Sequence, residues 1–173
     1  MKRNSLKLYP QRCKCGYYGH PKKTCQCSPG ELKKYRSKIS GPIVDRIDIH
    51  VEVPDVDYKD LIEAKQTPGT SSEEMRKQVV KVRKIQEKRY GSPVKLNAHL
   101  KAKEIKKYCK TDEKGKKFLE LISEKFGFSA RTIHKVLKVA RTIADLQECE
   151  IILREHLAEA VQYRILERSL WDE

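Results

Sequence analysis

Six cysteines punctuate the 173-residue chain, and four of them fall in two tight pairs, Cys13-Lys14-Cys15 and Cys25-Gln26-Cys27. Between the pairs runs Gly16-Tyr17-Tyr18-Gly19-His20-Pro21, two glycines and a proline in six residues, which is turn chemistry. Two close cysteine pairs joined by a short turn bring four thiolates onto one tetrahedral zinc. CxC repeated twice is less common than CxxC, and the same residues have a second option, a pair of disulfides. The start of the chain has basic residues but no apolar stretch behind them, so no secretory leader is expected. Reduced thiols follow from that, and they favour the metal. Four sulfurs leave no open coordination position, so zinc on Cys13, Cys15, Cys25 and Cys27 is expected to be structural. His20, in the turn, reads as a spectator. Cys109 and Cys149 stand alone in helical patterns and read as ordinary buried residues.

Charge is the second chemical feature. The chain holds 38 Lys+Arg against 24 Asp+Glu, a formal net charge of +14. Residues 1–46 carry a net +10, residues 47–74 a net −6, and residues 75–173 a net +10. A basic module, an acidic connection and a basic helical module fit that distribution. Basic surfaces favour polyanions, because each phosphate contact releases condensed counterions. The competing reading is a set of solvated Lys-rich helices. No run of about eighteen apolar residues occurs, which excludes a transmembrane helix of the usual kind. Nor is there a GxxxxGK[ST] phosphate loop, so this chain taken alone is not expected to hydrolyse nucleotides.

The elements that must position these residues are mostly helical. Ser28-Pro29-Gly30-Glu31 begins a short basic helix to Arg36, with Pro29 suited to a first helical position. Ile47-Asp48-Ile49-His50-Val51-Glu52-Val53 alternates apolar and polar residues, which predicts a half-buried strand, the partner of another chain or the edge of a larger sheet. Residues 54–70 read as an acidic linker. Ser71-Ser72-Glu73-Glu74 is a capping box, and Met75, Val79, Val82 and Ile85 continue at helical spacing to Tyr90, where Gly91 and Pro93 stop the helix. A second helix is expected from Asn97 to Cys109. A third runs from Asp112 through Phe118, Leu119, Ile122 and Phe126 to Gly127. A fourth, capped by Ser129, buries Ile133, Val136, Leu137, Ala140 and Ala144. A fifth covers Leu153 to Glu167, with Leu157, Ala160, Val161 and Ile165 inward. The expected fold class is mainly α, a compact C-terminal helical bundle preceded by a zinc knuckle and an edge strand. The domains are expected at 1–53 and 71–168, with 54–70 as linker and 169–173 as tail.

The stretches Cys13–Pro21, Cys25–Pro29, Tyr35–Val53, Leu96-Asn97, Phe128–Leu146 and Ala158–Arg164 together resemble the magnesium-chelatase-like AAA+ ATPases of the ComM/YifB type, over residues 13–168. The resemblance implies that residues 1–53 end an α/β nucleotide-binding core and that the helices form its lid. It places an arginine finger at Arg46, in Gly41-Pro42-Ile43-Val44-Asp45-Arg46, and a sensor-2 residue at Arg131, in Ser129-Ala130-Arg131. A finger stabilises charge on a neighbouring subunit's γ-phosphate, so a homo-oligomeric ring is implied, with ATP and magnesium held by the rest of the core. Without the resemblance, Arg46 would be read as pairing with Asp45 or Asp48, and Arg131 as a first-turn arginine beside an unfavourable helix dipole. Relatives carry a sensor-1 Asn followed by Pro before the first cysteine, where this chain has Gln11 and Arg12.

The function expected on this basis is the finger, sensor and lid part of a cytoplasmic ring ATPase that remodels DNA, in the manner of the branch-migrating helicases of natural transformation. Two alternatives stay open, a free-standing basic zinc module that binds nucleic acid without nucleotide, and, more weakly, an ATPase subunit of magnesium chelatase. Met1 is read either as a native start or as a truncation point.

Overall fold

The computed structural model describes residues 13–20, 22–38, 45–51, 53 and 69–169, the side chains of 165–169 excepted. Among them are six α-helices, one 3₁₀ turn and no strand. The expectation of a mainly helical chain holds. Two units are distinguished, one of residues 1–50 with 164–173 and the other of residues 51–163.

In the first unit, α1 (Pro29–Arg36) starts at a reciprocal capping box. The Glu31 amide donates to Ser28 Oγ at 3.3 Å, and the Ser28 amide donates to the Glu31 carboxylate at 3.0 Å. Two orphan donors of the first turn are thereby satisfied by side chains only three positions apart. Arg36, at the other end of α1, lies 4.4 Å over the Tyr18 ring, a cation–π contact that ties the helix to the cysteine loop.

Among the described residues of 47–53, the predicted strand is not formed. Asp45 and Arg46 make a helical turn, residues 47–51 and 53 are irregular, and Ile49, Val51 and Val53 are exposed. An alternating pattern becomes a strand only where a neighbour supplies the hydrogen-bond ladder, and no described residue does so.

In the second unit, α2 (Ser72–Tyr90) begins at the Ser71–Glu74 capping box and ends on Gly91. It is followed by a 3₁₀ turn (Asn97–His99), α3 (Ala102–Tyr108), α4 (Glu113–Phe126), α5 (Ala130–Leu146) and α6 (Arg154–Ser169), whose residues from Arg164 onward belong to the first unit. The helix α5 is the centre, with α2, the 3₁₀ turn and α3 packed against it. Its Val136, Ala140 and Ala144 are fully buried, as are Leu157 and Ala160 of α6. The small residues of α5 admit close approach, and each large apolar side chain buried contributes roughly 1.5–3 kcal/mol. A lone parallel bridge between Thr111 and Ile152 sets the starts of α4 and α6 side by side. Gly115 sits at that junction, where a Cβ would come within 2.8 Å of Asp112 Oδ1 and 3.0 Å of Leu157 Cδ1.

Three sequence expectations are corrected. The helix expected over 97–109 is broken, because Leu100 and Lys101 are extended and Asn97 is drawn into the interior by its side chain. Met75 and Val79 are exposed, and only from Val82 onward does α2 bury side chains. Cys109 is buried as expected, which pushes its thiol up to about 11, whereas Cys149 is half-buried.

Candidate metal centre and candidate nucleotide-facing arginines

Glycine geometry makes the cysteine loop. Gly16 and Gly19 have φ of 82° and 75°, left-handed values that cost a side-chain-bearing residue steric strain and cost glycine little. The turns they permit bring the Gly16 amide to the Cys13 carbonyl at 3.2 Å and the His20 amide to the Tyr17 carbonyl at 3.1 Å. The chain therefore doubles back, and the two cysteine pairs face each other.

All four sulfurs lie within 4.8 Å of one another. Cys13 Sγ is 3.3 Å from Cys15 Sγ and 3.7 Å from Cys25 Sγ, and Cys15 Sγ is 3.5 Å from Cys25 Sγ. Zinc–sulfur bonds of about 2.3 Å put the corners of a tetrahedral site about 3.8 Å apart, so the spacing suits a single ion. The cysteines are free thiols, not disulfides. Cys13 is fully buried and the other three are half-buried.

Backbone amides are aimed at the sulfurs. The Tyr18 amide donates to Cys13 Sγ at 3.3 Å. Amides of Tyr17 and then Gln26 hold the Cys15 thiol down at about 6, helped by the adjacent Cys13 and Cys25. At Cys25 the Cys27 amide pulls down, but burial and the neighbouring Cys15 and Cys13 sulfurs outweigh it and push the thiol up to about 12. One thiolate forms readily and makes the next one costly, because like charges crowd a small volume. A dication removes that cost, so the donor set fits a metal better than it fits four protons.

His20 lies outside the cluster. Its Nδ1 accepts from the amides of Lys22 and Lys23 at 3.0 and 3.1 Å, and its ring meets Tyr17 edge-on at 5.7 Å. It shapes the loop.

Arg46 and Arg131, the two arginines singled out from the sequence, are both exposed. Arg46 belongs to the first unit and Arg131 to the second. Asp45, beside Arg46, faces another cation, Arg164, at 3.6 Å. Arg131 is the second residue of α5, whose first turn is closed by Ser129 Oγ accepting from the Thr132 amide at 3.1 Å. With its cap bond made locally, the start of α5 needs no help from Arg131.

Residues 69–164 match the family described as magnesium chelatase, subunit ChlI C-terminal, and residues 7–61 match magnesium chelatase, subunit ChlI. The chain belongs to the family described as magnesium chelatase, subunit ChlI C-terminal. The resemblance read from the cysteine segment and the helices therefore holds. Among curated relatives, this member is similar to competence protein ComM of Haemophilus influenzae, with 43% identity over 143 residues. The match covers 83% of this chain and 27% of that protein. It is similar also to the protein YifB of Escherichia coli, 38% identical over 145 residues, covering 84% of this chain and 28% of that protein. The chain thus spans little more than a quarter of the length of these relatives, over their C-terminal part. The C-terminal family match takes in α2 to α5 and ends inside α6, at Arg164.

Arg164 is the residue that sequence reasoning passed over. It is buried, and it touches both neighbours of Arg46. The periodicity carried a signal, since 164 follows Leu157, Ala160 and Val161 at helical spacing on the inward face. A charged residue on an apolar stripe is readily taken for its solvent-facing edge.

Proposed function

We propose that this chain is the C-terminal part of a ComM/YifB-type AAA+ ATPase, supplying an arginine finger, a nucleotide sensor and a helical lid for ATP-driven remodelling of DNA in the cytoplasm. The observation that carries the reading is the 43% identity to competence protein ComM across 83% of the chain. In this reading Cys13, Cys15, Cys25 and Cys27 hold one zinc, whose four-sulfur site is a structural cross-link. Arg46 projects from the first unit to stabilise charge developing on a phosphoryl group held by a neighbouring subunit of a homo-oligomeric ring. Arg131 senses the nucleotide of its own subunit from the start of α5, where the helix dipole favours an anion and makes an arginine fit best when a phosphate faces it. ATP and magnesium belong to the remainder of the core.

The family's description supports a second reading, an ATPase subunit for magnesium insertion into a porphyrin, with the magnesium as cargo. Identity to ComM favours the first. The decisive measurement is ATP turnover by the longer protein carrying this segment, alone, with branched DNA and with porphyrin. Stimulation by DNA is expected. Stimulation by porphyrin alone would select the second reading, and no turnover under any condition would overturn both. Tight DNA binding by this chain without any nucleotide-hydrolysing partner segment, beyond the weak binding its charge alone gives, would instead mark a free-standing zinc module.

A further inference from the structure

We propose that Arg164 is a positioning residue for Arg46, holding the backbone on both sides of it so that the Arg46 guanidinium is presented in one direction. The inference rests on the reading of Arg46 as the group that reaches a neighbour's nucleotide. Arg164 is 3% exposed. One of its terminal nitrogens donates to the Ile47 carbonyl, and the other stands 3.6 Å from Asp45 Oδ1. Those acceptors belong to the residues immediately before and after Arg46, which is itself exposed.

A guanidinium is a planar fork with donors at fixed spacing, whereas a lysine offers one flexible ammonium. Held in the interior, the fork is stable only with its donors engaged, and the Ile47 carbonyl and Asp45 carboxylate are acceptors it engages. The two contacts restrain the peptide groups flanking Arg46 and so set the direction of its Cα–Cβ bond, while the side chain keeps its full reach. A charged group ordered beforehand loses less freedom when transition-state charge develops, and that is how a buried arginine with no contact to substrate affects the rate.

The test compares Arg164→Ala, Arg164→Lys, Arg46→Ala and the double variant Arg46→Ala/Arg164→Ala in the longer protein that carries this segment, reading kcat, KM and nucleotide binding. Arg164→Ala should lower kcat at least tenfold with KM and nucleotide affinity within twofold, because ground-state binding does not use Arg46. Arg164→Lys should recover part of the loss. The double variant should be no slower than Arg46→Ala alone, since a misdirected finger and a missing one are equivalent. Parental turnover in Arg164→Ala beside an inactive Arg46→Ala would overturn the positioning role and leave the finger reading standing. Parental turnover in Arg46→Ala would remove the finger reading and the inference together. Losses that multiply in the double variant would show Arg164 acting through something else and would also overturn it. If circular dichroism shows that Arg164→Ala is unfolded, Arg164→Gln, which retains one donor group, takes its place in the same comparison.

Discussion

The Arg89 guanidinium at the end of α2 grips both carboxylate oxygens of Asp145 near the end of α5, one of them at 2.9 Å. The Asp145 side chain has no exposed surface. It receives two further donors, Arg141 Nε at 3.1 Å and Asn97 Nδ2 at 2.8 Å. Arg141 in turn donates to the carbonyls of Glu150, at 2.6 Å, and Cys149. Asn97 reaches Thr142 Oγ1 at 3.0 Å, and its amide donates to Gln86 Oε1 at 3.1 Å. One buried carboxylate thus fastens α2, the 3₁₀ turn and α5 together.

Removing that carboxylate's charge should be costly. Asp145→Asn leaves Arg141 buried without its counter-ion and should destabilise the chain by about 3 kcal/mol, the lower end for a broken buried pair. Urea unfolding followed by circular dichroism measures it. A loss below about 1 kcal/mol would place the pair with exposed ion pairs, whose contribution is small.

Glycine at 115 should be worth more than its helix propensity suggests. Gly→Ala within a helix ordinarily gains up to about 1 kcal/mol. At 115 the added methyl meets the Asp112 carboxylate, which is pinned by accepting the Gly115 amide at 2.8 Å, and the buried Leu157. Gly115→Ala should therefore lower the melting temperature, by the equivalent of about 1 kcal/mol of overpacking. A rise in melting temperature would show that Leu157 yields freely.

Freshly purified, reduced protein should contain one zinc per chain by elemental analysis, and serine at any one of positions 13, 15, 25 or 27 should weaken its retention. Chelation should speed amide exchange across residues 13–38 and leave α4 to α6 unchanged. Metal binding displaces protons from the thiols, so affinity should fall as pH falls from about 8 to 6. Metal-free protein with undisturbed exchange in the loop would refute the centre.

The two exposed arginines should separate kinetically in the longer protein. Arg46→Ala should abolish hydrolysis with nucleotide binding nearly intact, because a finger acts across a subunit boundary. Arg131→Ala should disturb both. Equal and mild effects would make both of them ordinary surface residues.

The segment's charge should express itself as weak, sequence-independent DNA binding. Residues 1–46 and 75–173 each carry a net +10, and the log of affinity should fall linearly with the log of salt concentration. A titration at low salt showing no binding to single- or double-stranded DNA at tens of micromolar, about the weak end of non-specific affinity, would assign the charge to protein contacts.

What the sequence determined by itself was everything governed by neighbours a few positions away. Ser28, Ser71, Asp112 and Ser129 announced their helices because an N-cap bond spans three residues, and each accepts the expected amide. The CxC pairs announced their convergence because the glycines between them dictate the turn. Tertiary structure alone decided which polar groups go inside. Asn97 and Asp145 are buried only because Arg89, Thr142 and Gln86 meet them, and Arg164 because Asp45 and Ile47 lie against it, Ile47 being 117 positions away. The desolvation cost of a buried polar group is offset only by partners that folding brings together, so no local pattern marks it. The alternation at 47–53 failed for the converse reason, since a strand is a property of two segments and the pattern describes one.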